Sequence, residues 1–338
     1  MSVDALSDVL STVRLTGAVY FKFDLSDPWV AEAPAARLVA PVVMPEAEHV
    51  IEFHVVAKGA CWGGAIGDEP RRLETGDVVV FPQGDPHVLS SAPGMRAEPD
   101  WGSFERPDGA QLPFVHHAGG GGPNTTQLIC GFLGCDLRPF NPLLAALPRM
   151  IHLSSHRGPD AGWLDHFINA VVRESTNRRA GGENVLSRMA ELMFVEVVRR
   201  HLEEMPPEQQ GWLAGLRDRS VGRALSALHA RPAHPWTLDE LAKESGLSRS
   251  ALAERFAQVV GVPPMQYLAQ WRIQIAASMI STGAMALGAV AAEVGYESEA
   301  AFNRAFKRMV GVAPGAWRRA RNLPSAPPRQ AAEKSSAM

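Results

Sequence analysis

A chain of 338 residues with 46% hydrophobic residues is long enough for two or three domains and too apolar for wholesale disorder. The formal net charge of −3 excludes a chain that is basic throughout, yet it hides a division. Residues 217–322 carry 14 Lys and Arg against 8 Asp and Glu, whereas residues 1–216 carry 17 against 27, so one module is suited to meet an anion and the other is not.

The N-terminal stretch MSVDALSDVL has no basic segment followed by an apolar one, and no run of 18 apolar residues occurs. The cysteines are Cys61, Cys130 and Cys135, an odd and sparse set that argues against a secreted disulfide scaffold. The expectation is a soluble, cytoplasmic chain with no membrane partner.

Residues 15–140 alternate short apolar runs, VIEFHVVAKG, DVVVFP and TQLICGFL, with Gly/Pro clusters such as CWGGAIGDEP and HHAGGGGPNTT. That texture predicts an all-β sandwich or barrel. The loop HHAGGGGP reads either as a movable cover over a cavity or as plain flexibility; no Gly-Lys-Ser/Thr follows it, so it is no phosphate loop. From 160 to 204 the apolar period changes to three and four, with Leu186, Met189, Ala190, Met193, Val197 and Val198 on one face. These helices are expected to join two copies in a homodimer, or else to pack within the chain. The final segment, LPSAPPRQAAEKSSAM, reads as disordered.

Two segments between 221 and 321 repeat. TLDELAKESGLSRSALAERFAQVVGVPP and ALGAVAAEVGYESEAAFNRAFKRMVGVAP align Ser248 with Ser298, Phe256 with Phe306, Gly261 with Gly311 and Pro264 with Pro314. Each reads as helix, tight turn, helix. Thr237 and Glu240 form a capping-box pattern, Trp236 and Leu241 a hydrophobic staple, and Gly246 suits a left-handed helix end. Ser248 caps the next helix, while Ala286 is a poor cap for the corresponding helix of the second copy. A helix-turn-helix places its second helix in the major groove, and two linked copies reach successive grooves about 34 Å apart. The plainer alternative is a pair of helical hairpins in an α-bundle.

The segment from about 220 to 321, above all IQIAASMISTGAMALGAVAAEVGYESEAAFNRAFKRMVGVAPGAWR, resembles the DNA-binding domain of AraC/XylS transcription regulators. The first 150 residues resemble the cupin-type effector domain of one branch of that family. The resemblance implies a multidomain α+β chain. A cupin-like effector barrel occupies 1–150, a helical linker or dimerisation region 151–212, two helix-turn-helix units 217–322 and a tail 323–338. It implies a regulator, mostly an activator, that binds double-stranded promoter DNA, answers an unidentified small-molecule effector and contacts RNA polymerase. The alternatives are a metal-dependent cupin enzyme fused to a DNA-binding module, and a constitutive architectural DNA binder.

Base-reading positions carried over from the family fall on Ser250, Ala253 and Glu254, then on Ala300, Asn303 and Arg304. Asn, Arg and Glu have partners among base edges, while Ala offers apolar contact alone. Arg249, Lys307 and Arg308 suit phosphate, and Glu299 stands on the outward face with them.

GDVVVFPQGDPH, residues 76–87, matches the second cupin motif in Gly76, Pro82, Gly84 and His87. Glu52 stands seven before Gly59, where the first motif has its Glu, but the paired histidines expected upstream are replaced by Glu46-Ala47-Glu48. The three-His-one-Glu set of the enzymes is therefore absent, and no cofactor is required, although a divalent metal in the barrel is chemically open. Glu52, His87, Cys61, Cys130 and Cys135 are metal candidates, the last two with His116–His117 as a non-diagnostic Cys/His set. His54, Trp62 and His87 are effector-contact candidates. His87 also reads as a satisfied core or rim histidine, His54, in an apolar run, more readily as a hydrogen-bonded core residue than a ligand, and the cysteines as small buried hydrophobes.

Overall fold

The computed structural model describes residues 4–13, 15–104, 112–137, 139–154, 161–177, 179–206, 209–281, 283 and 285–322. The tail expected over 323–338 lies outside the described residues.

Helix α1 (Ala5–Thr12) opens the chain, its N-terminus capped by Asp4, which accepts from the Leu6 amide at 3.0 Å. The β unit follows as β1 (Thr16–Ser26), β2 (Val30–Ala33), α2 (Ala36–Val43), β3 (His49–Lys58), β4 (Ala60–Ala65), β5 (Arg71–Glu74), β6 (Val78–Phe81) and β7 (His87–Ser90). After a 3-10 turn at Trp101–Phe104 come β8 (Phe114–Gly119), β9 (Thr125–Cys135), α3 (Pro142–Ala146) and β10 (Ile151–Leu153). The strands form a six-stranded sheet in the order β10-β6-β3-β9-β1-β8 and a four-stranded sheet in the order β2-β7-β4-β5. Because β10 pairs with β6, the sheet runs three residues past position 150.

Strand alternation divides the large sheet into two faces. Phe21, Leu25, Val50, Val56, Val79, Phe81, Leu128, Cys130 and Phe132 pack toward the small sheet. Ile51, Phe53, Val55, Val78, Val80, Ile129, Leu133 and Cys135 pack the other way, against helices. Those helices are α1, α3, α4 (Ala161–Asn177) and α5 (Gly182–Glu204).

This packing answers the question posed by the amphipathic stretch at 160–204. Leu186, Ala190, Met193, Phe194, Val197 and Val198 of α5 are buried in the chain's own core. A surface sealed against the sheet cannot also seat a second copy, so the expected dimerisation face is an intrachain one. On the other side of α5, Val185 and Leu192 remain exposed, at 44% and 56%.

The glycine-rich loop is also pinned. Gly120 N donates to Ser26 O at 3.1 Å, and Gly122 N to Asp27 O at 2.7 Å. Gly119 has φ +118° and abuts the Ser26 backbone, where a Cβ would collide. These glycines serve close backbone approach rather than a free cover.

The helical part continues with α6 (Trp212–Arg217), α7 (Arg219–Ala230), α8 (Leu238–Ser245), α9 (Arg249–Val260), α10 (Pro264–Ser281), α11 (Leu287–Glu293), α12 (Glu299–Val310) and α13 (Pro314–Asn322). α8–α9 and α11–α12 are two helix-turn-helix units joined by α10. The first half of α10 buries Tyr267, Leu268 and Trp271 in the large core. Its second half buries Ile273, Ala276, Ala277 and Ile280 in a separate core with Phe302, Phe306 and Trp317.

Local capping follows the chemistry of the residues. Thr237 Oγ1 accepts from Glu240 N at 3.2 Å, and Gly246 (φ +71°) ends α8 with Leu247 N donating to Ala242 O at 3.0 Å. The reciprocal half of the capping box is not made: Glu240 pairs with His234 at 2.8 Å instead. Ser248 and Ser298 cap α9 and α12, accepting from Ala251 N and Ala301 N at 3.3 and 3.2 Å. Ala286 makes no side-chain cap for α11.

Candidate ligand cavity and DNA-binding surface

Between the two sheets lies a cavity of about 430 Å³. Its walls are Phe21, Phe23, Leu25, Leu89, Phe104, Leu128 and Phe132, with Met95, Glu98 and Asp100 also lining it. The lining therefore suits an apolar molecule, with few polar groups to orient it.

Three of those polar groups converge. Glu52 and His54, two residues apart on β3, point to the same face, and His87 at the start of β7 meets them from the facing sheet. One ligand-capable atom from each lies within 4.8 Å of the other two, and all three residues are buried. His54 Nε2 is 2.7 Å from His87 Nε2, and Glu52 Oε2 is 3.8 Å from the same nitrogen. The His87 ring stacks on Phe81, with centroids 3.7 Å apart.

Hydrogen bonding fixes the tautomer. His87 Nδ1 lies 2.9 Å from Asp85 O, and a carbonyl only accepts, so Nδ1 carries the proton and Nε2 presents a lone pair. His54 Nε2–H then donates to that lone pair. His54 Nδ1 and Glu52 Oε1 remain buried with no hydrogen-bond partner. Burial pushes the Glu52 carboxyl up to about 8 and His87 down to about 4, and it lowers His54 well below the usual imidazole range. Burial thus disfavours the charged form of all three groups.

A metal of the kind implied by the barrel resemblance fits these donors. Two neutral imidazoles and one carboxylate form a set that suits zinc and first-row transition metals. It is not the expected set: His54, two residues after Glu52, takes the place of the missing upstream pair.

The remaining candidates separate. Trp62 does not line the cavity. Cys61 is the inward residue of β4, so Trp62, its neighbour in the strand alternation, turns outward beneath Arg72 at 5.9 Å. Cys130 and Cys135 are five residues apart on β9, an odd separation, and they face opposite sides of the sheet. His117 is exposed on β8 beside Asp24 at 3.7 Å. No joint Cys/His site forms among the described residues. Burial raises the Cys61 and Cys135 thiols to about 12 and Cys130 well above its ordinary value, so they sit in the core as neutral thiols.

On the helical unit, Arg249, Ser250 and Glu254 are exposed on α9 and Ala253 is half-buried. On α12, Glu299, Ala300, Arg304, Lys307 and Arg308 are exposed and Asn303 is half-buried. Arg249 faces Asp239 at 3.6 Å, whereas no ion pair engages Arg304, Lys307 or Arg308 among the described residues. Asn303 Oδ1 has no partner. Arg272 of α10 donates to Pro232 O at 2.6 Å, His234 O at 2.7 Å and Gly295 O at 3.2 Å, tying the loop before the first unit to the turn of the second.

The β unit and the helical unit share contacts that sequence reading missed. Arg321 of α13 reaches Glu48 at 2.6 Å and Asp136 at 3.2 Å. Glu48 precedes β3, and Asp136 follows β9 by one residue. Phe140 N donates to Gln274 Oε1 at 2.9 Å, and Asp8 of α1 approaches buried His229 of α7 at 3.7 Å. Pairings between residues more than a hundred positions apart leave no periodic trace in the sequence.

A family model described as Cupin matches residues 4–203, and a Helix-turn-helix domain model matches residues 241–320. An AraC-like transcription regulator of Streptomyces lividans is 33% identical over 323 residues, covering 95% of this chain and all of that protein. The RCS-specific transcriptional activator RclR of Escherichia coli is 26% identical, over 94% of this chain and 97% of its own. Among solved structures, unsaturated fatty acid-bound ToxT of Vibrio cholerae aligns over 90% of this chain and 95% of its own, at 13% identity and a TM-score of 0.32. No helix among the described residues is long and apolar enough to cross a membrane. The chain belongs to the AraC-like family of DNA-binding transcription regulators, with a cupin domain followed by a helix-turn-helix domain.

Proposed function

We propose that this regulator is an effector-responsive activator. The cavity between the sheets takes a small, largely apolar molecule whose polar end meets Glu52, His54 and His87. The observation that carries this reading is that β3 and β9 do two things at once. Both line the cavity, and both lead directly to the carboxylates that hold Arg321 of the DNA-binding unit. An effector that fits one docking geometry better than another shifts the population of that geometry, and with it DNA affinity or polymerase contact.

On promoter DNA, α9 and α12 enter successive major grooves. Ser250, Ala253, Glu254, Ala300, Asn303 and Arg304 face base edges, and Arg249, Lys307 and Arg308 face phosphates, with Glu299 at the start of α12. The protein acts in the cytoplasm as a homodimer that contacts RNA polymerase, and the exposed side of α5 with Val185 and Leu192 is the surface left for self-association.

Fluorescence anisotropy on promoter fragments selected by the protein from its own genome tests the DNA half of this reading. Arg304→Ala and Asn303→Ala each remove a bidentate base contact worth about 1–3 kcal/mol, so affinity falls about 5- to 150-fold and base preference relaxes. Unchanged affinity and preference in both variants sink the assignment of α12 as a reading helix.

A further inference from the structure

We infer that Glu52, His54 and His87 hold one divalent transition-metal ion at the base of the cavity, with an open coordination position facing the apolar space. This deepens the effector reading and rests on it: the recognised molecule combines an apolar body with one oxygen-donor head group, such as a carboxylate, that completes the metal's coordination.

Four observations on the cluster converge. The donors come from two strands on facing sheets, 33 residues apart in sequence, and meet within 4.8 Å inside the protein. Their elements are fixed by the sheet ladders, with Glu52 opposite Phe81 and His54 opposite Val79. The Asp85 carbonyl holds the His87 Nδ1–H at 2.9 Å, the outer hydrogen bond that orients a ligating imidazole and aims Nε2 inward. Glu52 Oε1, buried, has no hydrogen-bond partner. An orphaned buried carboxylate oxygen is costly and rare, and its place in this cluster marks a site where something else binds.

A cation accounts for the convergence of the two Nε2 atoms and for the unpaired Glu52 oxygen; His54 Nδ1 lies away from it and carries the ring proton. Bonds of about 2.0–2.2 Å to imidazole nitrogen and carboxylate oxygen require the ligand atoms to spread to a little over 3 Å. The two imidazole nitrogens at 2.7 Å therefore need to part by under an ångström, which a change of ring tilt supplies. On binding, His54 transfers its Nε2 proton to Nδ1, which frees the lone pair for the metal, and Glu52 gives up any proton it carries to solvent. Three protein ligands leave a tetrahedral ion one open position, as in sites that exchange a bound molecule. Phe132, Leu128 and Phe21 line the space beyond it.

The test uses the full-length protein, stripped with a chelator and titrated with cobalt(II) and zinc(II). Cobalt reports its coordination through its visible absorption, independently of any regulatory assay. The expected result is one cobalt per chain with a tetrahedral-type spectrum, displaced by zinc. His54→Ala and His87→Ala each weaken cobalt binding by more than about 100-fold, beyond the loss typical of an outer hydrogen-bonding partner. Circular dichroism and promoter binding of the same preparations establish that the variants are folded. Should one of them fail to fold, Glu52→Gln, which keeps the shape and removes the anionic ligand, carries the test. A wild-type protein that takes up no stoichiometric cobalt overturns the site, as do folded variants that bind it like the parent. Promoter binding and thermal shifts with amphipathic carboxylic acids, read on the metal-free protein, report separately on the effector reading.

Discussion

Replacing Arg321 with alanine removes one of the ties between the cavity strands and the DNA-binding unit. The guanidinium lies 2.6 Å from Glu48 and 3.2 Å from Asp136, with side chains 21%, 14% and 14% exposed. Charge-assisted hydrogen bonds are worth about 1.5–3 kcal/mol when buried, and partial solvent access brings each of these nearer to about 1 kcal/mol. The stacking of Arg321 over Trp317 at 4.8 Å lies within α13, so it orients the side chain and adds nothing to docking. The docked arrangement therefore loses about 2 kcal/mol, roughly a 30-fold shift toward the undocked one. Hydrogen exchange reads this directly. The Leu137 amide, held by Glu48 at 3.1 Å, and the amides of α13 exchange faster by up to about 30-fold, while those of β6 do not change. Arg321→Lys recovers about half of the loss, because a point charge cannot span both carboxylates. Unchanged exchange at Leu137 and α13 in the alanine variant would refute the claim that this contact joins the units.

Phe306→Ala removes a fully buried ring from the separate core of the second helix-turn-helix unit, costing about 3–5 kcal/mol, and differential scanning calorimetry should show that unit melting before the rest. Asp218 caps α7 and pairs with Arg255 at 2.6 Å; burial alone raises its pKa, but the pairing and the amides of Val221 and Ser220 outweigh burial and hold it low. With the folded pKa below the unfolded value of about 3.9, its contribution is present at neutral pH and is lost as pH falls through the depressed folded value, so urea midpoints of Asp218→Asn and the parent, well apart at pH 7, should converge in acid. Leu192→Asp places a charge at the most exposed apolar position of α5; on the proposed dimerisation through this face, light scattering should show a dimeric parent and a folded monomeric variant, and a monomeric parent or an unchanged dimer refutes it.

How much was legible in the sequence differed between the two halves. In the helix-turn-helix units the signals are local, since a cap, a left-handed glycine and an apolar stripe all fall within a dozen residues. Thr237, Gly246, Ser248 and Ser298 were therefore readable in place. In the barrel the signals are long-range. The apolar face of α5 was visible, but not that a sheet would cover it. His54 stands in the sequence as an effector-contact candidate but not as a metal one, because its partner His87 lies 33 residues away across a register that the sequence does not state. The period of two already sets Trp62 apart from Cys61 and Cys130 apart from Cys135. Arg321, by contrast, sits in a basic run, RRAR, that reads as surface charge until the fold brings Glu48 and Asp136 to it.

The three bonds made by Arg272 give the DNA-binding unit the character of a caliper with a locked opening. Its jaws, α9 and α12, are carried on units joined by α10, and Arg272 of that helix ties the loop before α8 to the turn before α12, where Gly295 is pressed against the Ala233 backbone so closely that no Cβ fits. A caliper measures, and it tolerates little error in what it grips. Two half-sites one helical turn apart, about 10 base pairs, present themselves on the same side of the duplex. About five base pairs inserted between them turn the second half-site to the far side, where a locked opening cannot follow. With α9 and α12 entering the grooves as proposed, spacing between half-sites, as well as their bases, is part of what this protein reads.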